Sequence, residues 1–319
     1  MSLFTKERLP VVVTMFEHGT TIEIDQELLG KDALNYNCSL LRYRDRTLFA
    51  YCQAVGPDPG PATRTYLCLL DDQFQPVPGT RRVLTPNLRN VSLKRINDPR
   101  LFTCGGLVYC TYSAVCTDMT GNGLSLLDPC TLLPLSDWLV SWAGCRKKEK
   151  NWQFFDFDGK MHCVYSITPH VILRVGEGGI CHTAAFSESE IDWKWGEMRG
   201  GTPPILVDDR YYSFFHSSFR DGALVCYVMG CYSFEATPPF KILSVSTVPL
   251  LRPGLEDRPS TCHPELAAVF PCGSWFRERQ WLVSYGYHDS VCRIIELDHD
   301  RVLNNMAEVN QHTKGAAWQ

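Results

Sequence analysis

Five times along this chain, a short apolar segment runs into a tight polar turn and returns as a β-rich segment that closes on Tyr or His. The copies occupy residues 41–53, 101–114, 153–167, 205–218 and 275–287, so the repeat recurs about every 50 to 70 residues. A hairpin that recurs at this spacing is one supersecondary unit used repeatedly, which is typical of a β-propeller. The closing residues of the five copies are Tyr51, Tyr112, Tyr165, His216 and Tyr285.

The repeat predicts an all-β chain that forms a single five-bladed β-propeller domain over residues 1–319. A β-sandwich is the alternative, although sandwiches seldom repeat one hairpin at so long a period. Residues 1–35 are predicted to lead into the first blade and to contain a short strand at 20–24. Residues 298–319 are predicted to form a C-terminal tail. Helical periodicity is confined to residues 135–142 and this tail.

Composition excludes several partners. The net charge is −4, and Arg146-Lys147-Lys148 is the single block of consecutive basic residues that stands out in the sequence. Nucleic acid and acidic membrane surfaces are therefore poor candidates for partners. No apolar stretch is long enough to span a membrane, and the N-terminus lacks a signal-peptide layout. The fifteen cysteines are odd in number and many fall within apolar strand patterns, which favours reduced thiols in a cytoplasmic protein.

No metal or cofactor is predicted, because no Cys-x-x-Cys pair occurs and the histidines lack ligand spacing.

The first chemical candidate is Asp98, in the NDPR segment at 97–100. Pro99 is expected to hold Asp98 extended, so that its carboxylate is presented where the second repeat begins. Arg100 would then lie on the same face of the strand. A plain turn is the alternative reading of the Asp-Pro pair.

The second candidate is an anion-binding pocket formed by residues around the third and fourth repeats. Lys150 and Asn151 precede the third repeat, His170 and Arg174 follow its hairpin, and Arg199 opens the fourth, which His216 closes. Lys and Arg make charge-assisted hydrogen bonds to phosphate oxygens. The alternatives are that Lys150 ends a solvated charged run, that His216 is a core histidine, and that Asp289 after the last repeat is a turn former.

Equivalent ends of a repeated hairpin face one mouth of a closed propeller, so these residues are predicted to share a pocket. One carboxylic acid opposite a group of cations suits a phosphorylase, in which phosphate replaces the general base and water of a hydrolase. A hydrolase would need a second carboxylate, and Glu149, in a solvated charged run, is the acid beside the anion cluster. A non-catalytic sugar-binding propeller is the third reading. Aromatic candidates for sugar-ring contacts are Trp152, Tyr232, Phe234, Tyr285 and Tyr287.

The order of motifs resembles glycoside hydrolase family 130, whose members are five-bladed propellers acting mainly as β-mannoside phosphorylases. The motifs are NYNCS at 35–39, Arg64, NDPR at 97–100, Lys150-Asn151-Trp152, GGTPP at 200–204, HSS at 216–218, MGCYSF at 229–234 and SYGYHD at 284–289. Within the family, the chain is most similar to the trypanosomatid mannosyltransferase/phosphorylases, which make and degrade mannogen, a cytosolic β-1,2-mannan.

The resemblance implies roles for individual residues. Asp98 matches the single catalytic acid, which is thought to pass its proton through a sugar hydroxyl. Arg64, Lys150, Asn151 and His216 match phosphate-binding positions, and Asp289 matches an acid that holds mannose hydroxyls. The further candidates for phosphate are His170, Arg174 and Arg199. The further candidates for substrate are Asn37, Arg100, Trp152, Thr202, Tyr232 and Tyr285.

Three positions depart from the family pattern. Asn97 replaces an acidic residue, His170 stands near a common Arg, and Leu206 stands where some relatives carry Lys; Arg199 or Arg174 would compensate. The implied reaction is the reversible, inverting phosphorolysis of β-1,2-mannooligosaccharide to α-mannose 1-phosphate, with phosphate or mannose 1-phosphate as co-substrate. Some relatives use GDP-mannose as donor instead, and the choice of donor is left open.

Overall fold

The computed structural model describes residues 19–31, 33–55, 62–89, 91–254 and 265–309, and strands dominate these ranges. The chain begins with β1 (Thr20–Glu23) and the short helix α1 (Gln26–Gly30). The first unit then consists of β2 (Leu34–Tyr43), β3 (Arg46–Val55), β4 (Ala62–Leu70) and β5 (Arg82–Val83). The second consists of β6 (Leu93–Cys104), β7 (Leu107–Cys116), β8 (Thr120–Leu127) and β9 (Pro134–Val140).

The remaining units follow the same order. The third consists of β10 (Gln153–Phe157), β11 (Lys160–Ser166), β12 (His170–Val175) and β13 (Cys181–Ser187), with a 3₁₀ turn at Glu177–Gly179. The fourth consists of β14 (Ile205–Val207), β15 (Arg210–Asp221), β16 (Leu224–Glu235) and β17 (Ile242–Ser246). The fifth consists of β18 (Leu266–Arg277), β19 (Gln280–Tyr287) and β20 (Val291–Asp298), followed by helix α2 (His299–Asn304) and β21 (Met306–Glu308).

All five predicted hairpins are present as antiparallel pairs of the first two strands of each unit. Units one, two and three are separate four-stranded sheets among the described residues. Units four and five share a nine-stranded sheet, because a short parallel pairing joins β16 to β18. The all-β prediction is therefore confirmed, whereas the count of five blades stays a prediction, since the sheets alone do not separate the last two units.

The hydrophobic core consists of clusters that lie between neighbouring units. Leu48 of unit one packs with Val108 of unit two, and Phe154 of unit three packs with Phe102 of unit two. Further clusters join unit three to four, four to five, and five back to one. Each unit thus buries apolar side chains against two neighbours, and the packing follows a cyclic order. β1 contributes to this closure, because it pairs with β20 of the last unit.

Two predictions about local structure have different outcomes. The strand predicted at 20–24 is β1, and helix α2 falls within the predicted C-terminal tail. The helical interpretation of residues 135–142 is wrong, because most of that segment forms β9, the outer strand of unit two, which pairs with β8. Residues 1–18 and 310–319 of the predicted terminal segments lie outside the described residues.

Cysteine side chains behave as small apolar groups here. Every cysteine in the described ranges is a free thiol, and all but Cys130 and Cys145 are buried. Cys262 lies outside the described residues. No helix in those ranges is long and apolar enough to cross a membrane.

Candidate active site

A cavity of about 520 Å³ lies where the first strands of the units begin. Every unit, or the segment that leads into it, contributes to its wall: β2, β6 and β18 through their N-terminal parts, and units three and four through the residues before β10 and β14. Its volume is within the range of about 300–1,000 Å³ that is usual for small-molecule sites. The lining residues are Leu34, Tyr36, Asn37, Ala54, Thr63, Arg95, Asn97, Asp98, Lys150, Arg199, His216, Tyr227, Leu266, Ala268, Phe270 and Asp289.

Asp98 is held in the cavity by a bulge in β6. The register between β6 and β7 shifts between Asn97 and Arg100, and the φ angle of Asp98 is 53°. The prediction that Pro99 holds Asp98 extended is therefore wrong: the backbone is left-handed, a conformation that Asp tolerates better than most residues. The bulge also changes the strand's alternation, so Arg100 does not share the cavity-facing side with Asp98.

Hydrogen bonds orient the Asp98 carboxylate. Asn37 Nδ2 donates to Asp98 Oδ1 at 2.8 Å, and Ser113 Oγ donates to Asp98 Oδ2 at 3.5 Å. The Asp98 amide donates to Cys52 Sγ at 3.2 Å. Asn37 lies in a matching bulge of β2 and also has a positive φ, 49°. The same irregularity in two units thus brings an amide and a carboxylate together.

Arg100 is buried beneath the cavity and ties three units together. Its Nη1 donates to the Asp98 carbonyl at 2.9 Å, and its Nε donates to the Gly201 carbonyl at 2.5 Å. Its Nη2 donates to Asn151 Oδ1 at 3.1 Å and to the Gly200 carbonyl at 3.3 Å. All four acceptors are neutral, so the guanidinium adds positive charge below the site.

Positive charge also lines the cavity wall, through Lys150, Arg199 and Arg95. Burial and then the charges of Arg100, Lys150 and Arg199 hold the pKa of His216 well below its usual value, so this imidazole is neutral at neutral pH. Its ring lies against Phe270, with 4.3 Å between ring centroids. Within the described residues, His216 Nδ1 is buried without a hydrogen-bond partner.

Lys150 is positioned by the segment before it. The Glu149 amide donates to the Thr120 carbonyl at 2.8 Å, which pins the segment to the start of β8. The Glu149 carboxylate is buried and accepts from Tyr165 Oη at 3.1 Å and from Trp152 Nε1 at 3.3 Å. The expectation that Glu149 lies in a solvated run is therefore wrong. Glu149 does not line the cavity, and its hydrogen bonds hold the backbone next to Lys150.

Asp289 is the second carboxylate in the wall. It has a φ of 49° in the turn between β19 and β20. The Asn35 amide donates to the Ser290 carbonyl at 3.1 Å, which ties this turn to β2. Burial raises the pKa of the Tyr36 phenol, and the nearby Cys52, Asp289 and Asp98 raise it further. Tyr36 therefore lies within electrostatic reach of both carboxylates.

The structure brings six of the predicted site residues into this cavity: Asn37, Asp98, Lys150, Arg199, His216 and Asp289. Three more support it from beneath without lining it. Arg100 and Asn151 are linked as described, and Thr202 is buried, with its Oγ1 accepting from the Phe214 amide at 3.0 Å. These three residues are therefore placed to position the residues that line the cavity.

The other predicted residues lie elsewhere. Trp152, Tyr232 and Tyr285 are fully or almost fully buried in the clusters between units, as are Phe234 and Tyr287. His170 is buried against Tyr232 and Phe234, and its Nδ1 donates to the Phe240 carbonyl at 2.8 Å. Arg64, Arg174 and Leu206 are exposed and outside the cavity wall.

The sequence analysis missed the aromatic and basic residues that do line the cavity: Tyr36, Arg95, Tyr227 and Phe270. Two of them had a local signal. Tyr36 precedes Asn37 in the NYNCS motif, and Arg95 lies three residues before Asp98. Tyr227 and Phe270 reach the cavity through strand pairing and unit packing, which no motif reveals. Among the described residues, no group of three or more His, Cys, Asp or Glu side chains could hold a metal ion.

Solved structures with this fold include β-mannoside phosphorylases of glycoside hydrolase family 130 and a Leishmania mannose phosphorylase, as the motif resemblance predicted. A β-1,2-mannobiose phosphorylase from Listeria innocua, in complex with β-1,2-mannobiose, has a TM-score of 0.67 and 14% identity over 86% of this chain and 92% of its own. A mannose phosphorylase from Leishmania mexicana, in complex with phosphate, has a TM-score of 0.52 and 14% identity over 94% and 93%.

A third structure belongs to the work on the glycoside hydrolase 130 family of mannoside phosphorylases, which contains glycoside hydrolases that target β-1,2-mannosidic linkages in Candida mannan. It has a TM-score of 0.63 and 12% identity over 84% of this chain and 85% of its own. No protein-family model matches the sequence, and no curated protein matches it. At such low identity the likeness shows the fold, and the activity has to be argued from the site.

Proposed function

We propose that this protein is an inverting β-1,2-mannoside phosphorylase, built as a single five-bladed propeller. One observation carries the proposal: the carboxylate of Asp98 and the cations Lys150 and Arg199 line the same cavity. One structural neighbour is a β-1,2-mannobiose phosphorylase in complex with β-1,2-mannobiose, and another is a mannose phosphorylase that holds phosphate. The cyclic packing of the five units supports the blade count.

In the proposed reaction, phosphate binds between Lys150, Arg199 and the neutral His216. A phosphate oxygen forms a bond to the anomeric carbon of the terminal mannose while the bond from that carbon to the glycosidic oxygen breaks. Asp98 supplies the proton that the departing chain needs, through a sugar hydroxyl as the resemblance implies. The products are α-mannose 1-phosphate and a chain that is one sugar shorter, and the reverse reaction elongates the chain.

Lys150 and Arg199 stabilise the phosphate through charge-assisted hydrogen bonds, and the buried Arg100 adds positive charge from below. Arg199 also bonds Glu197 at 2.7 Å on the exposed side, so one of its edges is already occupied. Arg95 is a further cation in the wall that phosphate could use. Arg64 and Arg174, which the resemblance or its departures suggested, have no place in this scheme.

A β-mannoside hydrolase is the second candidate, because Asp289 is another carboxylate in the same cavity. A hydrolase needs one carboxyl group as acid and one to activate water. Glu149 cannot serve, since Tyr165 and Trp152 hold it outside the cavity. The charged residues beside His216 favour phosphate over water, and product analysis separates the candidates: mannose 1-phosphate in one case, free mannose in the other.

The donor for synthesis is tested by incubating the protein with β-1,2-mannobiose and either mannose 1-phosphate or GDP-mannose. Elongation with mannose 1-phosphate supports the phosphorylase, whereas elongation with GDP-mannose alone supports a nucleotide-sugar transferase. Binding of sugar without turnover under any of these conditions would support a non-catalytic propeller. The free thiols support our further proposal of a cytoplasmic protein, where thiols stay reduced.

The role of Asp98 is tested by Asp98→Asn. General-acid catalysis is worth roughly 100- to 10,000-fold, so we expect phosphorolysis of mannobiose to fall by at least about 100-fold. Asn keeps the shape of the side chain, so the variant should unfold at the wild-type urea concentration. Near-normal phosphorolysis by this variant would show that Asp98 is not the acid.

A further inference from the structure

A groove of about 310 Å³ adjoins the cavity on the side of unit one. It is lined by Gln26, Glu27 and Gly30 of α1, together with Ala33 and Leu34. Leu34 lines both the groove and the cavity, so the two spaces are neighbours that share this residue as a wall. A ligand that extends past Leu34 would leave the cavity on the side of the groove.

The wall of the groove is held in place by hydrogen bonds. Asp25 caps α1 by accepting from the Glu27 amide at 2.8 Å. Gln26 Nε2 donates to the Cys292 carbonyl at 3.1 Å, which joins α1 to unit five. Asn35 Nδ2 donates to the Gln26 carbonyl at 3.3 Å. Because α1 is tied to β20 and β2, the groove is formed before any ligand arrives.

Gly30 allows the helix that lines the groove to lie close to unit one. A Cβ at this position would lie 2.0 Å from Gln53 Nε2 and 3.2 Å from an Arg81 guanidinium nitrogen. The backbone of α1 can therefore approach β3 closely only because residue 30 has no side chain.

The chemistry of the groove differs from that of the cavity. The cavity wall carries Lys150, Arg199 and Arg95, whereas the charged side chain among the described residues that line the groove is the exposed carboxylate of Glu27. An anionic ligand would be repelled by Glu27. A neutral chain of sugars suits the groove better, because its hydroxyls can donate to Glu27 and its apolar ring faces can lie on Ala33 and Leu34.

The position of the groove also suits the reaction. In an inverting displacement, the attacking phosphate and the departing group lie on opposite sides of the reacting carbon. Lys150 and Arg199 belong to the segments before units three and four, whereas Leu34 belongs to unit one, across the ring. We infer that the groove along α1 holds the part of the mannan chain that extends beyond the cavity, and this inference rests on the proposed function.

The groove is tested by filling it. Ala33→Trp places a large side chain in the groove. The control is Leu28→Trp, which places the same side chain on the surface of α1. Leu28 is 48% exposed and lines neither the groove nor the cavity. The measurement is the ratio of kcat/KM for phosphorolysis of β-1,2-mannotetraose to that of β-1,2-mannobiose. We expect Ala33→Trp to lower this ratio about tenfold, the usual cost of losing a modest set of contacts, and Leu28→Trp to leave it unchanged.

A second variant tests the carboxylate. Glu27→Gln keeps the shape of the side chain and removes its charge, and we expect the same ratio to fall about threefold, since hydrogen bonds to a charged group are the stronger ones. A wild-type ratio near one, or an unchanged ratio in Ala33→Trp, would overturn the inference while leaving the proposed function in place.

Binding without phosphate separates the two claims. Calorimetric titration of mannotetraose should give a Kd about tenfold higher for Ala33→Trp than for Leu28→Trp. If wild-type protein fails to phosphorolyse either sugar but shows this difference in Kd, the proposed function is wrong and the groove still binds glycan. An equal Kd in the two variants would overturn the groove.

Discussion

Gly286→Ala is expected to damage the site without touching any ligand. Gly286 lies on β19, and a Cβ there would be 2.3 Å from Asn37 Oδ1 and 2.5 Å from the Asn37 amide nitrogen. Ordinary contacts begin at about 3.4 Å, so Asn37 would have to move by about 1 Å. Because the contact involves its backbone, a rotation of the side chain cannot relieve it.

This displacement acts on the carboxylate of Asp98, which we propose to be the acid. The hydrogen bond from Asn37 Nδ2 to Asp98 Oδ1 is 2.8 Å long, and a shift of about 1 Å would take it beyond hydrogen-bonding distance. A misplacement of about 1 Å can cost about 100-fold in rate. Overpacking typically costs about 1–3 kcal/mol of stability, which should leave the protein folded.

The assay is kcat/KM for phosphorolysis of mannobiose, together with urea unfolding. Asn37→Ala, which deletes the amide without overpacking, should lose activity by a similar factor. Gly121→Ala on β8 is the control, because its Cβ would meet only the ends of Leu139 and Met119, at 3.2 and 3.3 Å. Wild-type activity and stability in Gly286→Ala would refute the reasoning, since Asn37 could then not be held where the structure places it.

Two other predictions concern charge. Lys150→Ala should raise the KM for phosphate at least about tenfold, since it removes a charge-assisted hydrogen bond. Lys148 is an exposed neighbour outside the cavity, so Lys148→Ala should leave this KM unchanged. Equal effects of the two substitutions would show that Lys150 does not bind the phosphate. Burial lowers the pKa of His170 to about 4, against about 6.5 in an unfolded chain. The unfolded chain then binds the proton first as the pH falls, so this residue should lower the free energy of unfolding by up to about 3 kcal/mol between pH 6.5 and 4. His170→Gln should remove that part of the pH dependence in urea unfolding, and an unchanged slope would mean that His170 is not buried and neutral.

Much of the fold was predictable because it depends on local signals. Each of the five hairpins combines a turn that tolerates positive φ with flanking apolar and β-branched residues, as at Asp158-Gly159 between β10 and β11. Asp98 of the NDPR motif lies inside β6 (Leu93–Cys104), the first strand of the second unit, and not at its entrance. Its conformation was predicted wrongly, since the bulge at Asp98 depends on how β6 pairs with β7.

The candidate site was only partly predictable, because side-chain burial depends on packing between units. Tyr232 and Tyr227 are both tyrosines on β16, yet Tyr232 is buried beneath unit three and Tyr227 lines the cavity. Their difference follows from strand alternation and from which neighbour covers each face. Glu149 likewise reads as part of a charged run, and only Tyr165 and Trp152 show it to be buried.

The chain alone thus determined the repeated hairpin and the types of charged residue near each repeat, since both are written in short stretches. The tertiary structure decided which of those residues meet. Lys150, Arg199 and Asp98 are far apart along the chain and become neighbours of one cavity because the units pack in a cyclic order. The same packing carries Arg64 and Arg174 away from it, since their side chains extend to solvent from strands whose opposite faces are buried.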